Sequence, residues 1–259
     1  MNESAFALEG KVALITGAAS GVGQAIACGM SQSGALVALD DIDENGLKET
    51  STKIVETGGE SLSIVADVGT TAGREKMVKE TMNAFGKIDI LVNSAADAPQ
   101  FTTALETTEE GWDKTLNAGL KGLFFLSLEV AKASMIKQKK GSIINISSNS
   151  AYYPAPLHAS YGIMKAGVNM ATQVLASELA QYKIRVNGIA PRLVKYTKMV
   201  KEHWDNPERL KRAEQKAALG YVPVPDDLVG AAIFLSSDAS SYYTGQTMLY
   251  DGGINIGIL

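Results

Sequence analysis

Val12-Ala13-Leu14-Ile15-Thr16-Gly17-Ala18-Ala19-Ser20-Gly21-Val22-Gly23 runs from an apolar stretch through a glycine-rich turn into a segment of helical periodicity that reaches Ser33. A short run without polar alternation suits a strand of a parallel sheet whose two faces are both covered by helices. The glycines allow a tight turn and let backbone N–H groups approach a ligand closely. A helix opening there adds the positive end of its dipole, so strand, turn and helix together favour a bound diphosphate. The bare Gly-x-x-x-Gly-x-Gly spacing also fits a plain structural turn; the flanking strand and helix are what support the ligand.

The alternation continues outward. Further strands are predicted at Leu36 to Asp40, Leu62 to Ala66, Ile88 to Val92, Ser142 to Ser147, Ile184 to Ile189 and Thr247 to Tyr250. Helical patterns lie near Glu44 to Thr57, Thr71 to Phe85, Thr108 to Lys137, Ser160 to Tyr182 and Asp226 to Leu235. This reads as an α/β fold: a Rossmann-like, doubly wound, seven-stranded parallel sheet flanked by helices. No linker, composition break or internal repeat divides the 259 residues, so one domain over 1–259 is expected.

A formal charge of −4 argues against a nucleic-acid surface. No apolar run nears the roughly 20 residues of a membrane span, and Met1-Asn2-Glu3-Ser4 lacks a basic start and a signal-type apolar core. The single cysteine, Cys28, leaves no internal disulfide and fits a cytoplasmic location; inside the first helix it reads as a small buried hydrophobe.

Two clusters carry chemistry. The second strand ends in Asp40-Asp41-Ile42-Asp43, and no base follows until Lys48. An acid at this distance from the turn accepts hydrogen bonds from a free adenosine ribose and repels a 2′-phosphate, which points to NAD over NADP. The same acids would also suit the N-terminus of the Glu44 helix. The second cluster is Ser148, Tyr161 and Lys165. A Tyr and a Lys four apart share one helix face. An ammonium beside a phenol favours the phenolate and pulls a pKa of about 10 towards neutrality. The pair could then move a proton on or off an alcohol oxygen that Ser148 holds by a hydrogen bond. No metal-ligand spacing is recognisable, and no catalytic metal is expected.

Several motifs fall in order: the turn at 16–23, Asp67-Val68, Asn93, Asn117 to Gly122, Ile144-Asn145-Ile146-Ser147-Ser148, Tyr161 with Lys165, Arg185-Val186-Asn187 and Tyr250-Asp251-Gly252-Gly253. In this the chain resembles the short-chain dehydrogenase/reductase family, over roughly residues 8–253. The resemblance implies a catalytic tetrad of Asn117, Ser148, Tyr161 and Lys165. Tyr161 would be the proton donor or acceptor, and Ser148 would orient the substrate oxygen. Lys165 would depress the tyrosine pKa and bind the nicotinamide ribose. Asn117 would hold a water linking Lys165 to solvent. For the cofactor it implies Gly17, Ser20, Gly21, Val22, Asp41, Ile42, Tyr161, Lys165 and Val194, with Asp67 and Val68 bordering the adenine and Asn93 beside the adenosine ribose.

Two departures stand out. Asn93-Ser94-Ala95-Ala96 carries a methyl group where the family usually has glycine, and Pro191-Arg192-Leu193-Val194 has an arginine where it usually has Pro-Gly. Arg192 either points to solvent or reaches into the pocket, where it would meet an anionic group on the substrate. His158 could also face the substrate, although a lone histidine is more often structural. Residues 192–220 fall where the family carries a substrate lid; their mixed charges fit a solvated helix face as well.

The expectation is an NAD-dependent oxidoreductase interconverting a secondary alcohol and a ketone. The alternatives are an NADPH-dependent ketoacyl-type reductase and a non-catalytic dinucleotide sensor, the latter having no need of the tetrad. Family likeness also implies a homotetramer built through the Thr108–Lys137 and Ser160–Tyr182 helices and the apolar tail Ile254 to Leu259.

Overall fold

The computed structural model describes residues 3–96, 102–197 and 205–256. Seven parallel strands, β1 (Val12–Thr16), β2 (Leu36–Asp41), β3 (Ser61–Val65), β4 (Ile90–Asn93), β5 (Gly141–Ile146), β6 (Ile184–Pro191) and β7 (Thr247–Tyr250), form one sheet. Their order is β3-β2-β1-β4-β5-β6-β7. The order reverses between β1 and β4, and a crevice opens beyond the carboxyl ends of the strands at such a switch point.

The helices are α1 (Gly21–Gln32), α2 (Glu44–Glu56), α3 (Thr71–Phe85), α4 (a helical run over 109–138), α5 (Ala159–Leu179), α6 (Pro207–Lys216) and α7 (Val229–Ser236). Alternate residues of each strand face opposite layers. On one face Ile15, Leu39, Val92 and Ile144 pack against Ile26 and Met30 of α1, Leu47 and Ile54 of α2, and Leu228, Ala232 and Leu235 at α7. On the other, Leu14, Ile64, Leu91, Ile143 and Val186 meet Met77 of α3, Leu126 and Val130 of α4, and Leu175 and Leu179 of α5. Burying a Leu or Ile side chain in this way stabilises by roughly 1.5–3 kcal/mol.

The predicted strands recur with their ends shifted by one or two residues. The helix expected from Asp226 instead starts as a 3₁₀ turn, Pro225–Leu228, before α7. The mixed-charge segment contains α6, capped by Asn206, whose side chain accepts from the N–H of Glu208 and Arg209; no α6 residue is buried. That fits a solvated helix face, while the middle of the expected lid, 198–204, and the end of the tail, 257–259, lie outside the described residues. No helix among the described residues is long and apolar enough to cross a membrane.

α4 is interrupted by π-helical turns at Asn117–Gly122 and Ala131–Met135. Such turns are frequent at functional sites. The first lies where α4 meets α5, beside a small apolar cluster of Leu123, Met164, Val168 and Ala171.

Candidate active site

A cleft of about 920 Å³ runs along the carboxyl ends of the strands. One wall is the glycine-rich turn. Gly17 has φ +68°, and a Cβ placed on it would lie 2.9 Å from the backbone of Ala95. That backbone is fixed in turn, because Thr16 Oγ1 accepts the N–H groups of Ser94 and Ala95 at 3.1 Å each. Glycine is therefore required at 17 by both backbone conformation and space. At the head of α1, Ser20 is the N-cap but makes no side-chain capping bond. The first N–H groups of the helix are left facing the cleft, which suits a diphosphate.

The acids at the end of β2 divide their work. Asp43 caps α2 by accepting the Gly46 N–H. Asp41 accepts from Ala19 N at 3.1 Å and Asp43 N at 3.0 Å, so its carboxylate is held against the turn. Asp40 is buried. Residues 40–70 bring Asp40, Asp41, Asp43 and Asp67 to the cleft lining, and neither Lys nor Arg is among the lining residues there. Ile42, Val68 and Val194 line the cleft, as do Ser20, Gly21 and Val22. Asp67 accepts the Gly69 N–H at 2.8 Å, and Arg74 holds the Val68 carbonyl at 3.0 Å.

Asn93, expected beside the adenosine ribose, is 3% exposed and is not among the residues lining the cleft; its side-chain amide donates to Ser127 Oγ at 3.0 Å and Asn145 Oδ1 at 2.9 Å. It ties β4 to β5 and α4, and Ser94, Ala95 and Ala96 line the cleft in its place.

At the other end stand Ser148, Tyr161 and Lys165. Ser148 caps a 3₁₀ turn and accepts the Ser150 N–H at 3.1 Å, leaving its own O–H to donate. Ser147 is spent internally on Asn169 Oδ1 at 2.6 Å, so Ser148 is the available hydroxyl of the two. Tyr161 and Lys165 lie one turn apart on α5, with Nζ 5.6 Å from the phenol ring centre. Lys165 is 3% exposed and donates to the Ile146 carbonyl at 2.6 Å, which anchors it to the end of β5. Burial lowers its pKa to about 8.

Burial raises the Tyr161 phenol, and a side-chain hydrogen bond with Ser148 opposes the rise. The lowering expected from Lys165 is not what governs the phenol in the protein alone. The ammonium points at the Ile146 carbonyl, and burial favours its own neutral form.

Asn117 opens the π turn of α4 and lines the cleft with Lys114 and Ala118. Among the described residues no hydrogen bond joins its side chain to Lys165. Gly119 and Leu120 of that turn pack against α5: a Cβ on Gly119 would lie 2.7 Å from Met164 Sδ, and one on Gly167 would lie 2.7 Å from Leu120 Cδ2. Met164 thus fills the space between the π turn and α5, a contact that no spacing rule signals.

His158 sits at the head of α5, with Nδ1 2.7 Å from the Pro156 carbonyl and its ring edge-on to Tyr161 at 6.2 Å. Arg192 lines the cleft half-buried near Asp251, and Lys114 lines it as well. Lys114 belongs to none of the sequence motifs; its place one turn before Asn117 is the available signal. Among the described residues, no group of three His, Cys, Asp or Glu side chains is placed to hold a metal ion.

The arrangement fits a nicotinamide dinucleotide: an uncapped helix head for the diphosphate, an acid for the ribose, and a proton-carrying pair at the far end. The chain matches the family model described as enoyl-(acyl carrier protein) reductase over residues 17–255. It is 37% identical to a 2-dehydro-3-deoxy-D-gluconate 5-dehydrogenase of Dickeya dadantii, over 96% of both chains. Its fold is similar to that of a gluconate 5-dehydrogenase from Burkholderia cenocepacia in complex with NADP and tartrate, with TM-score 0.92 and 30% identity over 98% of this chain and 99% of that one. It is similar also to a short-chain type dehydrogenase/reductase from Mycobacterium marinum, with TM-score 0.90 and 31% identity over 98% and 99% of the two chains. With its sheet order, glycine-rich turn and Ser-Tyr-Lys group, the chain belongs to the short-chain dehydrogenase/reductase family.

Proposed function

We propose that the protein is an NAD-dependent oxidoreductase that interconverts a secondary alcohol and a ketone, with Tyr161 as the acid/base. The observation that carries this reading is the convergence of Ser148, Tyr161 and Lys165 at one end of a cleft whose other end presents Asp41 beside a glycine-rich helix head. Gly17, Ser20, Gly21 and Val22 would hold the diphosphate, Asp41 the adenosine ribose, and Lys165 the nicotinamide ribose. The cofactor, when bound, supplies the hydride exchange at its nicotinamide ring. In oxidation, Tyr161 as phenolate removes the hydroxyl proton while Ser148 donates to the same oxygen. In reduction Tyr161 returns the proton. Asn117 is kept as a polar residue of the cleft wall; its water-holding role needs no side-chain contact with Lys165.

The substrate we infer is an anionic hydroxy acid. Arg192 and Lys114 line the cleft, and the Dickeya and Burkholderia proteins are named for acting on sugar acids. Arg192 would pair with the carboxylate. A second reading, an NADPH-dependent ketoreductase, is favoured by the NADP in the Burkholderia complex; the acids at the end of β2 oppose it. Residues around 192–220 would close over the substrate.

A homotetramer is inferred from Ile163 and Met170, 54% and 60% exposed on α5, and Phe125 on α4; a monomer in sedimentation at micromolar concentration would exclude it. A cytoplasmic location agrees with the lone free cysteine. The central test is Tyr161→Phe. Turnover should fall about 10²–10⁴-fold with NADH affinity within a few-fold of the parent. Turnover close to the parent's would remove the acid/base assignment.

A further inference from the structure

We propose that Asp40 is a further cofactor-binding residue, whose buried carboxylic acid donates a hydrogen bond to the adenosine end of a dinucleotide in the cleft. The inference rests on the dinucleotide reading above and adds a residue that the reading does not use.

Asp40 lies in β2, in register with Thr16 of β1 and Ile64 of β3. Its carbonyl accepts the Ala18 N–H at 2.9 Å, which pins the glycine-rich turn to the strand. Because side chains alternate across a sheet, its carboxyl leaves the face opposite to that of Asp41 and enters the layer of Ala38, Ile64 and Val68. There it is 1% exposed; its Oδ1 is enclosed without a hydrogen-bond partner, whereas Oδ2, equally unbonded, is not enclosed and keeps some exposure where the residue borders the cleft.

The charges that bear on it are Asp41 on its own strand, Asp67 from the β3–α3 loop and Lys76 from α3. Lys76 is committed elsewhere, to the Val65 carbonyl at 3.0 Å and to Glu80 at 4.0 Å. A carboxylate in that setting would be desolvated, unpaired and repelled by two others, so the neutral acid is favoured. Burial first, then Asp41 and Asp67, push its pKa to about 9. A neutral carboxyl has one O–H to give. The adenine ring nitrogens and ribose oxygens of a nucleotide are acceptors, and they supply the partner that the folded protein withholds. An unpaired buried acid is costly to keep; a ligand that completes it gives it a use.

The test is calorimetric titration of the parent, Asp40→Asn and Asp40→Leu with ADP between pH 7 and 10, beside NADH titration by fluorescence. ADP carries the adenosine end alone and does not reach Lys165, so titration of that amine does not enter. Asn retains a donor and cannot ionise. The parent's ADP affinity should fall about tenfold from pH 8.5 to 10 as the acid ionises, while Asp40→Asn stays within about twofold over the range. Asp40→Leu should bind about five- to tenfold more weakly than the parent at pH 7. Parallel pH profiles for the parent and Asp40→Asn, with NADH and ADP both binding, would overturn the inference and leave the dinucleotide reading standing. Binding of neither ligand to the parent would overturn both. Should Asp40→Leu fail to fold, the Asn profile alone decides.

Discussion

Replacing Asp40 by Asn should make the stability of this protein less dependent on pH, and the size of the effect follows from burial. In the unfolded chain the carboxyl titrates near 3.8; in the fold, burial and two neighbouring aspartates raise it to about 9. Below pH 3.8 both states are protonated, and the residue's contribution is fully present. Above it the unfolded chain ionises while the fold still holds its proton, so stability is lost with rising pH until the folded group ionises too. Each pH unit in that window costs about 1.4 kcal/mol. The interval from 3.8 to neutrality is about three units, so about 4 kcal/mol has gone by pH 7. The side chain is 1% exposed, so little of this is screened away by solvent. Asn has no such titration. It brings its own cost of an incompletely paired buried amide, about 1–3 kcal/mol, but that cost does not vary with pH. The quantity to measure is therefore the gap in thermal midpoint between variant and parent, followed by calorimetry or circular dichroism from pH 5 to 8. It should widen in the variant's favour by about 1.4 kcal/mol per pH unit, or about 3–6 °C per unit in a chain of this size. A gap that stays constant across that range would refute the reasoning, because it would mean that Asp40 is ionised in the fold or hydrated there.

Asp41 and Arg192 give two further predictions, one at each end of the cleft. Asp41→Ala should weaken NADH binding about tenfold and narrow the NADH-over-NADPH preference by a similar factor, since it removes both the ribose acceptor and the charge that repels a 2′-phosphate; an unchanged preference in fluorescence titration would show that another group sets it. Arg192→Ala should lower kcat/KM for hydroxy-acid substrates about 10–100-fold while neutral polyols change by a few-fold at most. If steady-state assays found the same acid-to-neutral ratio as in the parent, Arg192 would line the cleft without contacting the substrate's anionic group.

The parts of this molecule legible in its sequence are those settled within a few residues along the chain. The turn from Val12 to Gly23 could be read because its steric demand is local: a left-handed φ at Gly17 and an uncapped helix head are properties of consecutive residues. Ser147 and Ser148 both line the cleft, and they differ in that Ser147 donates to Asn169 while Ser148 accepts the Ser150 N–H from the adjoining turn. Failures begin where the answer depends on a neighbour far along the chain. Asn93 occupies the expected strand end, yet its direction is decided by Ser127 and Asn145, which lie across the sheet and in α4. Asn117 begins a π turn, and such a turn shifts which residues point at the next helix. Gly119 then meets Met164 of α5, a contact set by residues far apart along the chain. The pairing of Asp40 with Asp41 shows the same limit. The two acids are adjacent and chemically identical, and the pleat alone sends one to the backbone donors of the turn and the other into an apolar layer. Composition could not distinguish them, and the difference is large in energy. That asymmetry lets one strand end hold the turn through Asp41 while the neighbouring Asp40 is left buried and unpaired beside the cleft.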